Sequence, residues 1–350
     1  MRASVLASLA GQIALSAALP AENAFSPRAA TASAYASNSG GSLKLSSVPA
    51  PVLGAGSPGS STWSLTIDDT SSGYKQKITG FGAAVTDATV TSFNTLSSSS
   101  LSSLLSELMT SAGAGFALMR HTIGASDLSA DPAYTYDDNG NAADPNLTGF
   151  NLGDRGTAMA QMLAKMKSLQ SNLKVFGSPW SAPGWMKLNG VIDGSTTNNN
   201  LNDGYLTNNG AQYSSAFAQY FVKYIKAFEA LGATIDAITI QNEPLNSQAG
   251  YPTMYMFSNE QGTLIQNYVG PALANAGLAT SIWAYDHNTG TYSFCTDIHN
   301  AFQLTWFHRC AFIPSDSPEY GWTIRQHSSM ALLCQQPGLD CSLYFQAEQS

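Results

Sequence analysis

Residues 237–244 read Ala-Ile-Thr-Ile-Gln-Asn-Glu-Pro, and the fold class can be inferred outward from this stretch. Its first four residues are apolar or β-branched, which is typical of a strand buried in a parallel sheet. The run ends in an amide, Asn242, beside a carboxylate, Glu243, and Pro244 then begins a turn. In a (β/α)8 barrel the functional side chains lie at the carboxyl ends of the strands. The stretch therefore indicates a barrel strand that presents two polar groups at the barrel mouth.

Strand-like runs alternate with amphipathic helices on both sides of this stretch. Strands are predicted at 78–85, 116–124, 173–181, 237–244 and 282–287. Between them, apolar residues recur at helical spacing at 101–108, 159–166, 213–228 and 264–269, where core packing explains the methionine and aromatic stripes. Polar residues also follow the strands, namely Asp87, Arg120, Asp127 and Trp180. Because the glycine fingerprints of nucleotide-binding sheets are missing from the sequence, this pattern predicts a (β/α)8 TIM barrel.

Composition excludes several classes of protein. Of the 350 residues only 11% are charged, and 15 Lys+Arg against 23 Asp+Glu give a net charge of −8. Without a basic run to bind phosphates, nucleic acid is not an expected partner. The apolar stretch at 5–19 follows Met1-Arg2 and is shorter than the ~20 residues of a membrane span. It predicts a secretory signal peptide at 1–21, and hence an extracellular protein without a membrane span.

Composition also divides the chain. Residues 22–61 are rich in Ala, Ser, Pro and Gly and are interpreted as a low-complexity leader or pro-segment. The barrel is expected at 62–292, and a tail enriched in Cys and His follows at 293–350. This tail holds all four cysteines, which allow two disulfides in three pairings: Cys295, Cys310, Cys334 and Cys341. Their spacing is not that of a zinc site.

Three segments carry residues suited to carbohydrate chemistry. Glu243 is a candidate general acid, with Asn242 as a hydrogen-bond partner for a neighbouring hydroxyl. The loop at 177–187 has two indoles; Trp180 is expected to be exposed and to stack on a sugar ring, and Trp185 to pack under the loop. Asp87 is either a residue that binds sugar hydroxyls or a helix-capping residue.

Four motifs, in this order, resemble glycoside hydrolase family 30: G-F-G-A-A-V-T-D-A at 80–88, M-R-H-T-I-G-A-S-D-L-S at 119–129 with Y-T-Y-D-D at 134–138, G-S-P-W-S-A-P-G-W-M-K at 177–187, and T-I-Q-N-E-P at 239–244. The amino-acid sequence at 83–94 and 150–156 is most similar to that of the family's fungal endo-β-1,6-glucanase branch. The resemblance implies a TIM barrel with a β-sandwich side domain, retaining double displacement, and neither a metal nor an organic cofactor. It implies Glu243 as acid/base, Asn242 as ligand of the 2-hydroxyl, and a sugar subsite lined by Asp87, Arg120 and Trp180.

A retaining enzyme also needs a nucleophilic carboxylate about 5–5.5 Å from the first. The best candidate is Glu348, which only Gln349 and Ser350 follow. We therefore expect a barrel that is incomplete at its C-terminal end, with a remnant of the side domain. A gene-model artefact after about residue 292, a fragment and a genuinely truncated product are the alternatives.

The predicted function is that of a secreted, monomeric, retaining β-glycoside hydrolase, endo-acting on the β-1,6-glucan of fungal cell walls. Glucosylceramidase or xylanase specificity on the same barrel is one alternative, because the motifs define the subsite of the attacked sugar and not the linkage beyond it. A catalytically inactive, truncated carbohydrate-binding protein is another.

Overall fold

The computed structural model describes residues 34–44, 46–49, 80–194, 201–202, 205–208, 211–246, 248–288, 298, 307–313, 328–334 and 342–347. The chain divides into two units, Met1–Thr70 and Ser71–Ser350. In the first unit, β1 (Ala34–Ala36) and β2 (Ser46–Val48) form an antiparallel pair. The signal peptide at 1–21 lies outside the described residues. The leader, the other domain bounds and the side-domain remnant stay predictions.

The second unit contains strands and helices in alternation. Its strands are β3 (Gly82–Val85), β4 (Leu118–Ile123), β5 (Lys174–Pro179), β6 (Leu201–Asn202), β7 (Tyr205–Asn208), β8 (Ala211–Gln212), β9 (Ala237–Thr239), β10 (Ser281–Asn288), β11 (Phe307–Ile313), β12 (Ser328–Cys334) and β13 (Ser342–Ala347). Its helices are α1 (Asp87–Asn94), α2 (Ser98–Met109), α3 (Gly153–Leu169), α4 (Ser214–Ala230), α5 (Ser258–Leu264) and α6 (Gly270–Asn275). A π-helical turn, Ile265–Val269, joins α5 to α6. All five predicted strands and the four helical patterns are thus confirmed.

Eight strands form one sheet in the order β3-β4-β5-β9-β10-β11-β12-β13. The six from β3 to β11 pair in parallel, as expected of a barrel. The two edge strands, β13 and β3, approach within 8 Å at their Cα atoms, so the sheet curves round on itself. The small strands β6, β7 and β8 form a separate antiparallel sheet.

The last two strands depart from the (β/α)8 pattern. β12 runs antiparallel to β11, and β13 runs antiparallel to β12. A complete barrel has eight parallel strands, so the described sheet is a barrel of this type in its first six strands only. The register places Cys310 opposite Cys334 across β11 and β12. The pairing of the four cysteines stays a prediction.

The core lies between the parallel strands and the helices that cover them. The aromatic stripe of α4 is buried, with Phe217, Tyr220 and Tyr224 inaccessible to solvent. Tyr136, from the loop after β4, stacks on Tyr220 at a ring-centroid distance of 6.1 Å. Burial of each such side chain stabilises the fold by about 1.5–3 kcal/mol, and the expectation that these stripes form core is confirmed. No helix in the described part of the chain has both the length and the apolarity to cross a membrane.

Candidate active site

The segment that carries Asn242 and Glu243 follows β9 and lies between β5 and β10, the two strands that flank β9 in the sheet. The backbone N–H of Asn242 donates to the carbonyl of Pro179, at the end of β5, at 2.8 Å. The N–H of Glu243 donates to the carbonyl of Asp286, in β10, also at 2.8 Å. Glu243 has φ = +42°, a conformation that costs a non-glycine residue free energy unless its surroundings enforce it. The two backbone bonds supply that constraint and fix the position of Glu243 at the carboxyl ends of the strands.

Glu243 is partly exposed, and Asn246 is the side-chain partner of its carboxyl group among the described residues. Its Oε2 atom accepts a hydrogen bond from Asn246 Nδ2 at 2.7 Å. The same nitrogen lies 3.3 Å from the hydroxyl oxygen of Tyr251. Asn246 therefore orients the carboxyl and leaves part of it accessible to a ligand. Sequence reasoning missed Asn246, although it follows Glu243 by only three positions, because an amide in a turn has many other uses.

Arg120 contacts two other residues that the sequence predicted for the site, Asn242 and Trp180. Its side chain is only 2% exposed, and its Nη2 atom donates to Asn242 Oδ1 at 2.6 Å. The guanidinium carbon lies 4.7 Å from the ring centroid of Trp180, a cation–π contact. Because the Asn242 oxygen accepts from Arg120, its amide NH2 group is the face that can donate to a ligand. This orientation suits the recognition of a hydroxyl oxygen.

Asp286 is the acceptor at the centre of the network. Its Oδ2 atom accepts from Arg120 Nη2 at 2.8 Å and from Arg120 Nε at 3.2 Å. The Ser178 hydroxyl donates to the same oxygen at 2.7 Å, and Thr239 Oγ1 lies 3.0 Å from it. The Asp286 side chain is 1% exposed, so this ion pair is fully removed from water. Sequence reasoning did not place Asp286 in the site; the available signal was its position within the predicted strand at 282–287.

His287 adds a neutral group beside these carboxylates. Burial lowers its pKa, and the negative charges of Glu243 and Asp286 oppose that effect. Its Nδ1 atom accepts from the backbone N–H of Asn288 at 2.8 Å, which places the proton of the neutral ring on Nε2. The imidazole is therefore a further hydrogen-bond donor in this region.

The two indoles of the loop after β5 are both buried. Trp185 donates from Nε1 to the carbonyl of Asp137 at 2.8 Å and packs edge-on against Tyr213, which confirms its predicted structural role. Trp180 was expected to be an exposed platform. It is instead 5% exposed, because the guanidinium of Arg120 covers its ring. Its place in a sugar subsite stays a prediction.

Asp87 bonds a different set of partners from the Arg120 network. Its Oδ1 accepts from the Ser129 hydroxyl at 2.6 Å, and its Oδ2 accepts from Arg155 Nε at 3.1 Å. The helix-capping role belongs to its neighbour Thr86, whose side chain accepts from the N–H of Thr89 at the start of α1. Asp87 thus connects α1 to the loop after β4 and to α3. A role in sugar binding stays a prediction.

A cleft of about 520 Å³ lies among the loops that follow β4 and β5. Carboxylates, an amide and several apolar side chains line it, including Asp131, Asp138, Asn141, Val191 and Asp193. These loops leave the sheet at the same carboxyl edge as Glu243. Polar groups beside an apolar surface can receive a sugar ring.

Two further expectations concern the chemistry of this site. Glu348, the candidate nucleophile, lies outside the described residues. Within the described ranges, no group of three or more His, Cys, Asp or Glu side chains is arranged to hold a metal ion.

A partly exposed carboxyl beside a fixed amide, at the carboxyl ends of parallel strands, is compatible with a glycoside hydrolase of the barrel class. The model of the glycosyl hydrolase family 30 TIM-barrel domain matches residues 78–298. The chain belongs to glycosyl hydrolase family 30.

Named relatives agree with this assignment. The chain is 76% identical over 294 residues to endo-1,6-β-D-glucanase BGN16.3 of Trichoderma harzianum, covering 84% of this chain and 60% of that protein. It is 69% identical over 301 residues to endo-1,6-β-D-glucanase neg1 of Aspergillus fumigatus, covering 85% and 61%. The solved structure of the endo-β1,6-glucanase BT3312 matches with a TM-score of 0.58 and 29% identity, covering 70% of this chain and 53% of that one. The chain thus spans about three fifths of the length of the two curated relatives.

Proposed function

We propose that this protein is a secreted, retaining glycoside hydrolase that cleaves β-1,6-glucan within its chains. The observation that carries the proposal is the partly exposed Glu243 carboxyl beside the Asn242 amide, whose oxygen Arg120 holds. The relatives named endo-1,6-β-D-glucanase support the choice of linkage.

In the proposed reaction, Glu243 protonates the glycosidic oxygen while a second carboxylate attacks the anomeric carbon. The bond to the leaving sugar breaks as the glycosyl–enzyme ester forms. Water then attacks the anomeric carbon, gives its proton to Glu243, and the ester bond breaks to release the second carboxylate. We propose Glu348 as that second carboxylate, from its position in the sequence. Two displacements at one carbon retain the β configuration.

The surrounding residues have positioning roles in this proposal. The NH2 group of Asn242 donates to the 2-hydroxyl of the attacked sugar, an interaction that strengthens in an oxocarbenium-like transition state. Arg120 and Asp286 fix that amide by a charge-assisted network shielded from water. The cleft beside Asp138 and Val191 receives a neighbouring sugar unit, as endo action on a polymer requires.

Localisation follows from the sequence. We propose that residues 1–21 direct export and that the enzyme acts, as a monomer, on cell-wall glucan outside the cell. Detection of the secreted protein with a new N-terminus after about residue 21 supports this, and retention of Met1 on an intracellular protein contradicts it.

The test is release of reducing sugar from linear β-1,6-glucan by the wild-type chain, Glu243→Gln and Glu229→Gln. Glu229 lies exposed on α4 and provides the matched control. Loss of the general acid should reduce kcat by at least about 100-fold, whereas the control keeps its rate. The configuration of the first product, read by NMR, should be β.

Other outcomes select the alternatives. Faster hydrolysis of xylan or of glucosylceramide than of β-1,6-glucan overturns the proposed specificity. A folded chain that binds β-1,6-glucan without cleaving it corresponds to a carbohydrate-binding protein. A Glu243→Gln variant with wild-type rate removes Glu243 from the role of acid/base.

A further inference from the structure

Asp137, in the loop after β4, has a buried carboxyl group without a hydrogen-bond partner among the described residues. Its side chain is 1% exposed, and neither Oδ1 nor Oδ2 is hydrogen-bonded within that part of the chain. Both backbone polar groups of Asp137, in contrast, are hydrogen-bonded. The N–H donates to Thr135 Oγ1 at 3.2 Å, and the carbonyl accepts from Trp185 Nε1. Burial of an unpaired carboxylate costs several kcal/mol or more. Such a group in a native fold needs an explanation, and a bound ion or an ordered water is one.

Two further side-chain oxygens converge with this carboxyl on the open face of Gly149. A methyl group built onto Gly149 would lie 3.1 Å from Asp137 Oδ1, 3.3 Å from Asn139 Oδ1 and 3.4 Å from Asp144 Oδ2. The absence of a side chain at Gly149 therefore leaves space where three oxygens from one short segment meet. Asn139 and Gly149 are exposed, so this space is reached from solvent, while the carboxyls of Asp137 and Asp144 are buried behind it.

The charge of this cluster is not balanced within the loop. Asp144 accepts from Thr148 and from the N–H of Gly149, at distances of 2.6–3.1 Å, all of them neutral donors. Lys223 lies close enough to act on both carboxyls, but its Nζ donates to the carbonyl of Leu147 at 2.6 Å. A cation between the two buried carboxyls would offset their mutual repulsion.

We propose that Asp137, Asn139 and Asp144 bind one divalent cation, and that this cation is calcium. Calcium takes six to eight oxygen ligands at about 2.3–2.6 Å in flexible geometry, from carboxylates, amide and backbone carbonyls, and water. The cluster offers oxygen without nitrogen or sulfur, which disfavours zinc. The site is structural and separate from the chemistry at Glu243.

The ion would stabilise loops at the barrel mouth. The carbonyl of Asp137 holds the indole of Trp185, and Asn141 Nδ2 donates to the carbonyl of Gly190 at 2.8 Å. Both contacts join the loop after β4 to the loop after β5. Fixing Asp137 by a cation therefore also fixes one wall of the cleft described above.

The experiment compares thermal unfolding of the full chain in chelator, in calcium chloride and in magnesium chloride. A cation at ten times its Kd that binds only the native state should raise Tm by roughly 2 °C in a chain of 350 residues. Equilibrium dialysis with calcium should give one ion per chain. Asp137→Asn should abolish the calcium-dependent rise in Tm and the bound ion. Asp154→Asn, an exposed carboxylate at the start of α3, is the matched control and should respond like wild type.

A gain-of-affinity variant keeps the test independent of folding defects. Asn139→Asp adds a charged ligand at an exposed position whose backbone, at φ = +43°, Asp tolerates well. It should lower the calcium Kd severalfold relative to wild type. If the wild-type chain shows neither a Tm shift nor bound calcium at millimolar concentration, or if Asp137→Asn binds calcium as wild type does, the proposal is wrong. A response to magnesium at least as large as that to calcium overturns the choice of ion.

Discussion

Asp286→Asn should destabilise the protein more than any other single carboxylate-to-amide change described here. The substitution keeps the shape of the side chain and removes the charge that Arg120 Nη2 and Nε contact at 2.8 and 3.2 Å. Among the partners described for Arg120, the charged one is then lost and the neutral Asn242 Oδ1 remains, so the buried guanidinium loses charge compensation.

The magnitude follows from burial. The two side chains are 2% and 1% exposed, so neither gains solvation when the pair is broken. Breaking a buried pair by removing one partner costs about 3–5 kcal/mol. The asparagine oxygen can still accept from Arg120, which returns part of that cost. We expect a loss of about 3 kcal/mol, equivalent to a fall in Tm of roughly 4 °C in a chain of 350 residues.

The assay is thermal unfolding followed by circular dichroism, with Asp236→Asn as the control. Asp236 is paired with Lys167 and Lys174 but is 25% exposed, so its loss should cost about 1 kcal/mol or less. The reasoning is refuted if Asp286→Asn lowers Tm by less than 2 °C, or by no more than the control does. Since Arg120 orients Asn242, kcat/KM on β-1,6-glucan should fall as well, even at temperatures where the variant is fully folded.

Three further changes test the packing and charges around the site. Gly82→Ala should abolish folded protein, because a methyl group at this position would lie 1.6 Å from the carbonyl oxygen of Leu118. The measurement is the yield of monomer on size exclusion, and a normal yield would contradict the strand register. Asp137→Asn, in chelator, should be more stabilising at pH 7 than at pH 4. The native pKa of about 6 exceeds the ordinary 3.8, so the wild-type fold binds more protons between these values and its stability rises as pH falls through 6; a difference in urea midpoint independent of pH would exclude this. Arg155→Met should lower the free energy of unfolding in urea by about 3 kcal/mol, and Asp87→Asn by about 1–2 kcal/mol. The first variant leaves the Asp87 carboxylate, 3% exposed, without its ion-pair partner, whereas the second leaves Arg155, which is 31% exposed. Equal costs would argue against this pairing.

Much of the fold was predictable from local pattern. The alternation of apolar runs and helical periodicity located all five predicted parallel strands, because a buried parallel strand must be apolar and its end must turn toward polar solvent. The ends were less predictable: β9 stops at Thr239, although the apolar run continues through Ile240. Beyond Thr239, the backbone N–H groups of Asn242 and Glu243 donate to carbonyls of β5 and β10. Local propensity does not encode such hydrogen bonds.

The reversal of β12 was also beyond local pattern. An antiparallel return and a parallel crossover can use strands of the same composition, so the direction of β12 against β11 is set by pairing in the folded sheet. In the same way, burial of Trp180 depends on where the Arg120 side chain lies. An indole in a strand-end loop can be exposed or covered without any change in its own sequence context.

The sequence alone determined the barrel class, the family and the identity of the residues at the strand ends, because these depend on residue type and spacing along the chain. The tertiary structure alone decided which of those residues act together. Asp286 meets Arg120 across a separation of 166 residues and Ser178 across 108, because the parallel strands that carry these residues are joined by long crossovers. Asp87, nearer to Arg120 in the sequence, pairs with Arg155 instead. Hydrogen-bonding partners in such a sheet are selected by strand order and register, which exist only once the chain has folded.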